Sequence, residues 1–117
     1  MRALLILNRK PYEGTRVTWD ALRLAEQLLN AGLEINVFLT NDAVDQARDA
    51  AKASAGYFDL GEMLKGLIRR NVPVKVCGIC KVRCGVYKGE PYLEGAQEGK
   101  MTELAEWIRE ADRVVSF

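Results

Sequence analysis

The chain has 117 residues, a net charge of +1 and an apolar fraction of 49% against 28% charged. That size suits one domain with its own core, expected over residues 1–117, and the near-neutral charge gives no strong attraction to nucleic acid or to an anionic membrane. The absence of histidine excludes His-based acid–base catalysis, Ser-His and Cys-His dyads and imidazole metal sites.

No run is long enough to span a bilayer, and the apolar run 3–7 is too short for a signal-peptide core. The expected compartment is the cytoplasm, where thiols stay reduced unless they are working. Residues 2–8 form a nearly continuous apolar run and predict a strand buried on both faces, as in parallel sheets. Residues 10–15 break it as a loop. A helix is expected from Thr15 or Arg16, with Val17, Ala21, Leu24, Ala25, Leu28 and Leu29 on its apolar face and Gly32 as its stop.

Residues 34–39 predict the second strand. Asn41 or Asp42 can cap a second helix with an alanine-rich face (Ala43, Val44, Ala47, Ala50 and Ala51), which is either peripheral or packs closely. Residues 53–57 read as a linker. Asp59 and Glu62 have capping-box spacing ahead of a third helix, whose apolar face is Leu60, Met63, Leu64, Leu67 and Ile68. Asn71 ends it, and residues 72–76 predict a buried strand.

That strand runs into Cys77-Gly78-Ile79-Cys80, with Cys84 following one expected helical turn later. Residues 85–99 read as the least regular stretch, with four glycines and Pro91; Tyr87, Tyr92 and Leu93 are available to pack or cover something. A last helix is expected to use Met101, Leu104, Ala105 and Ile108, and residues 113–117 predict a closing strand. Trp19 and Trp107 fall off the apolar stripes of their helices, which marks them as partly exposed core residues or as subunit contacts.

Strands alternating with helices imply a mostly parallel sheet covered on both faces. The fold expected is α/β, a three-layer α/β/α sandwich with a mainly parallel five-stranded sheet; four of its strands are located above. Right-handed crossovers bring residues 8–15, 39–42 and 77–84 to one edge of that sheet.

All three cysteines lie in one stretch, and their odd number argues against a structural disulfide set. Four readings stand. Cys77 is a nucleophilic or sulfur-carrying thiolate, stabilised by the free N–H groups of residues 79–81 and by Lys75, Lys81 and Arg83, and then has the lowest pKa of the three. Cys77 and Cys80 are a dithiol redox pair, C-G-I-C having thioredoxin-like spacing but lying late in the chain. Cys77, Cys80 and Cys84 supply three thiolates to zinc or part of an iron–sulfur cluster, with a fourth ligand from a subunit interface. Or the thiols are buried small hydrophobes. Gly78 and Ile79 shape the turn in every case. Gly14 and Thr15, at the same sheet edge, either line an anion- or sulfur-binding pocket or form a plain turn and helix cap. The pattern is not that of a P-loop.

The ordered pieces resemble the DsrE/TusD-like family of sulfur-relay proteins over essentially the whole chain. The likeness rests on Pro11-Tyr12-x-Gly14-Thr15 after the first strand, Ala31-Gly32 after the first helix and Val37-Phe38 in the second strand. It continues in Phe58-Asp59-Leu60, the strand-end cysteine, Arg83-x-Gly85-Val86, and Asp112-Arg113-Val114-Val115-x-Phe117. The resemblance implies that Cys77 accepts sulfur as a persulfide and passes it on, with no cofactor. It also implies sulfur donor and acceptor proteins as partners and a homo-oligomer, a trimer or hexamer. The chain departs from the relay subunits at Cys80, where they typically carry a small apolar residue, and at Cys84, where they tend to carry arginine. The other function class is an oligomeric module using the three thiols for dithiol redox chemistry or for a metal or iron–sulfur cluster.

Overall fold

The computed structural model describes residues 1–12, 16–48, 59–85 and 91–117. Its elements in chain order are β1 (Arg2–Leu7), α1 (Val17–Asn30), β2 (Glu34–Leu39), a 3-10 helix (Asn41–Ala47), α2 (Leu60–Arg69), β3 (Val74–Cys77), α3 (Gly78–Arg83), β4 (Ala96–Gly99), α4 (Met101–Glu110) and β5 (Arg113–Ser116). The five strands form one sheet in the order β4-β3-β2-β1-β5. Each neighbouring pair is parallel. Parallel strands buried by helices need continuous apolar runs, which is why Leu4, Leu5, Val37, Phe38 and Leu39 are all buried.

The topology sets the layers. The chain steps in one direction from β1 to β2 to β3, so right-handed crossovers put α1 and α2 on the same face. The step from β4 back across the sheet to β5 reverses that direction and puts α4 on the opposite face. The packing follows this division. Leu5, Leu7, Val37, Leu39, Val74 and Val76 pack against α1, α2 and the 3-10 helix, while Leu4, Phe38 and Cys77 pack with Leu104 of α4.

Several local signals work as the sequence indicates. The Asp59 carboxylate accepts from the Glu62 N–H at 2.9 Å and caps α2. Asn71 has φ +65° just past α2, and Gly32 has φ +92° just past α1; each takes a left-handed conformation that ends its helix. The alanine-rich segment packs closely, since Ala43, Val44 and Ala47 are fully buried. It is a 3-10 helix ending at Ala47; Ala50, Ala51 and the linker at 53–57 lie outside the described residues.

Other expectations are corrected. The stretch 85–99 contains β4, which pairs with β3 through Val74↔Ala96 and Cys77↔Gly99. In α1 the buried residues are Thr18, Ala21, Leu22 and Ala25, and Leu24 is exposed. In α4 only Leu104 of the expected stripe is buried, while Met101, Ala105 and Ile108 are exposed. Trp107 takes their place, meeting Phe38 edge-to-face with ring centroids 6.2 Å apart. Trp19 is half-buried against the α1/α2 core, with the guanidinium groups of Arg16 and Arg23 at 4.5 and 3.9 Å from its ring centre.

Candidate functional site: three thiols at the carboxyl edge of the sheet

Cys77 is the last residue of β3 and the N-cap of α3, Cys80 lies in the first turn of that helix, and Cys84 is its C-cap. Strand alternation decides where Cys77 points. Val74 and Val76 face the α1/α2 layer, so Lys75 and Cys77 face α4. The Cys77 side chain is therefore buried, at 4% exposure, beside Leu4, Phe38 and Leu104. A cavity of about 300 Å³ reaches it, lined by Cys77, Gly78, Ile79, Glu98, Gly99, Lys100 and Met101. Gly78 keeps that approach narrow but free, because a Cβ there would lie 2.6 Å from the Glu98 Oε1.

Cys80 occupies the seam between the layers and packs against both apolar clusters. Its Sγ accepts the Asn41 N–H at 3.2 Å and lies 3.5 Å from the Thr40 hydroxyl. Asn41 aims that N–H by adopting φ +51° at the end of β2, a left-handed conformation that asparagine tolerates better than most residues. Its side chain is held in turn by the Asn8 Oδ1 at 3.3 Å. Burial raises the Cys80 pKa, but the hydrogen bonds from Thr40, Cys77, the Asn41 N–H and Cys84 outweigh it, and the net shift is downward. Cys84 moves the other way, pushed up by burial and then by the negative charge of Cys80 and Asp42. The three free thiols thus lie along one short helix, and Cys80 is the one that meets the Thr40 hydroxyl and the Asn41 N–H.

The expected anion-stabilising groups are arranged differently from the sequence reading. The Cys77 side chain takes no capping hydrogen bond from α3. The backbone N–H that meets a thiol belongs to Asn41, in another strand-end loop, and the thiol it meets is Cys80. Lys75 is committed to the Glu103 carboxylate and to the Trp107 ring, 4.8 Å from its centre. Lys81 lies over Tyr92 at 5.2 Å. Ile79 is 70% exposed on the outer face of α3. Gly14 and Thr15 lie outside the described residues; the Tyr12 hydroxyl accepts from the Leu60 N–H at 2.8 Å, at the start of α2.

Residues that sequence reasoning missed hold the site from below. Arg48 is buried, donates from Nη2 to the Lys81 carbonyl at 3.0 Å and stacks on Tyr92, 4.4 Å from its ring centre. It pairs with Tyr92 as an isolated antiparallel bridge. The Tyr92 hydroxyl is buried, and its pKa is pushed up to about 12, first by burial, with Arg48 opposing and Glu98, Cys77 and Cys80 adding to the rise. Gly85, at φ +83°, donates its N–H to the Asp42 carboxylate at 3.0 Å, and a Cβ there would lie 2.3 Å from the Asp45 Oδ1. The glycine that follows the last cysteine is thus required by both backbone and space. Asn41 had a signal: it is an asparagine just past a strand, at the edge where the thiols were expected. Among the described residues, no group of three or more Cys, Asp or Glu side chains is arranged to hold a metal ion.

A parallel α/β/α sheet with clustered thiols on the turn after β3 defines a thiol-bearing α/β protein, with the thiols at the edge where open parallel sheets generally bind ligands. The chain belongs to the DsrE/DsrF-like family, whose family model matches residues 1–117 and which is generally associated with sulfur relay. It is 34% identical over 118 residues to protein YchN of Escherichia coli K12, covering 99% of this chain and 98% of that one. It is 36% identical over 117 residues to the uncharacterised protein MJ0989 of Methanocaldococcus jannaschii, covering 100% of both. The crystal structure of YchN from E. coli superposes with a TM-score of 0.86 at 35% identity, again over 100% of both chains. Among the described residues, no helix is long and apolar enough to cross a membrane.

Proposed function

We propose that the protein carries sulfur as a persulfide on Cys77. The observation that supports this most directly is the cavity that opens on the buried Cys77 while its neighbour Cys80 gathers the hydrogen-bond donors. Cys77 is shielded from bulk water yet reachable by a sulfur atom, which suits a labile sulfane group. In the loading step the Cys77 sulfur attacks the outer sulfur of a donor persulfide. The donor sulfur leaves with the electron pair of the broken bond and takes up the Cys77 proton, so that the donor departs as a thiol. A new sulfur–sulfur bond replaces the one broken, so no net oxidation and no cofactor is needed.

The partners are a protein that donates sulfur and a protein that accepts it, and self-association into a trimer or hexamer completes the proposal. Ile79 and Val82 on α3 and Met101 on α4 are 70%, 73% and 58% exposed around the site, an apolar surface suited to such contacts. A reducing compartment such as the cytoplasm suits three free thiols. The test is brief exposure to excess low-molecular-weight persulfide, an acid quench, and then intact-mass measurement and cold cyanolysis. One added sulfur atom per chain at the earliest times, released as thiocyanate, is expected; a protein that gains no cyanolysable sulfur at any time overturns the proposal. Light scattering at micromolar concentration should show an oligomer, and a stable monomer would remove that part.

A further inference from the structure

Cys80 is placed to act on the carrier thiol. It occupies the third position of a helix whose N-cap is Cys77, the C-x-x-C spacing of dithiol sites. It packs against the apolar cluster that holds Cys77. The donors that stabilise negative sulfur, the Asn41 N–H and the Thr40 hydroxyl, both meet Cys80. In thiol–disulfide exchange the attacker is a thiolate, and Cys80 is the thiol that these donors hold in that form. The polarity here runs from the helix thiol to the strand-end thiol.

We infer that Cys80 is a resolving nucleophile that releases the sulfur carried on Cys77 as hydrosulfide, giving the protein a persulfide-reducing activity besides sulfur transfer. This rests on the carrier reading above. The Cys80 thiolate attacks the inner sulfur of the Cys77 persulfide. The bond between the Cys77 sulfur and the sulfane sulfur breaks, and hydrosulfide leaves with the electron pair. A Cys77–Cys80 disulfide forms, so two cysteine sulfurs are oxidised while the sulfane sulfur is reduced. An external thiol reductant, either a dithiol or two monothiols, returns the pair to its starting state.

Cys84 is the bystander. Its pKa is raised, it sits at the other end of α3, and it packs against the α1/α2 cluster rather than the one that holds Cys77. Thr40 acts as a positioning residue, through Cys80 rather than on the carried sulfur.

The experiment loads the full chain with glutathione persulfide, removes the excess and follows hydrosulfide release without reductant, then maps the disulfide by peptide mass. The wild type should release hydrosulfide in step with Cys77–Cys80 disulfide formation. Cys80→Ser should keep one sulfur atom on Cys77 and release hydrosulfide at least about a hundredfold more slowly. Thr40→Val should slow release by roughly tenfold or less and move its pH profile to higher pH, since a hydrogen bond to the anion is lost. Cys84→Ser should behave as the wild type. Release from Cys80→Ser at the wild-type rate, or a disulfide that maps to Cys77–Cys84, overturns the inference while leaving the carrier reading in place. A Cys80→Ser protein with native secondary structure that takes up no sulfur at all counts against the carrier reading itself, and the inference falls with it.

Discussion

The two faces of the sheet are built unequally. The face under α1 and α2 buries three leucines of α2 (Leu60, Leu64 and Leu67), together with Ala21, Leu22 and Ala25 of α1 and three residues of the 3-10 helix. The face under α4 buries one helical residue, Leu104, with Trp107 and Ala111 as partly buried neighbours. The first face holds the fold. The second is thin, and it is the one on which Cys77 opens into a cavity. The thiols divide along the same line. Cys77 belongs to the α4 face, Cys84 packs on the α1/α2 face, and Cys80 touches both. A sheet that covered both faces equally would have no room for a sulfur atom beside β3.

The difference can be broken by mutation. The largest effect is expected in the thick layer: Leu64→Ala should destabilise the fold by about 2–5 kcal/mol, because Leu64 is fully buried and its cavity cannot collapse. Leu104→Ala, at 8% exposure in the thinner layer, should cost roughly 1–2 kcal/mol. Denaturant melts of the two variants compare them directly, and equal losses would contradict the unequal faces. Asp59→Ala removes the cap of α2 and should cost about 1 kcal/mol by the same measurement.

The smallest effect on stability, and the sharpest test of how the thiols divide, is their order of alkylation as pH rises. The hydrogen-bonded Cys80 has a lowered pKa and should become reactive at lower pH than Cys84, whose pKa is raised. Iodoacetamide trapping with peptide mapping across a pH series reads this, and earlier reaction at Cys84 would be wrong for the site described.

Local signals carried much of the fold. The run 34–39 is apolar apart from Glu34 at its start and Asn36, and it is β2 to the residue. Asp59 and Glu62 announced the cap of α2. β4 was illegible because Ala96-Gln97-Glu98-Gly99 contains no β-branched or aromatic residue and lies at the sheet edge, where only pairing with β3 makes it a strand. The stripe of α4 was misread because periodicity chose Met101, Ala105 and Ile108, whereas a thin layer needed one large ring on Phe38. At the site, the grouping of the thiols was written in their spacing. The partner of Cys80 was not, because the Asn41 N–H comes from 39 residues away and depends on a left-handed turn. Arg48 escaped for the same reason, since a buried arginine under a helix has no local signature, while Tyr92 was legible only as a residue available to pack.

The central claim is that sulfur rides on Cys77. Intact-mass analysis of the three single Cys→Ser variants after exposure to a persulfide donor tests it most directly. Quenched in acid at the earliest times, before release, Cys77→Ser should have gained no sulfur atom, whereas Cys84→Ser should have gained one as the wild type does. Uptake by Cys77→Ser at the wild-type rate would contradict the account.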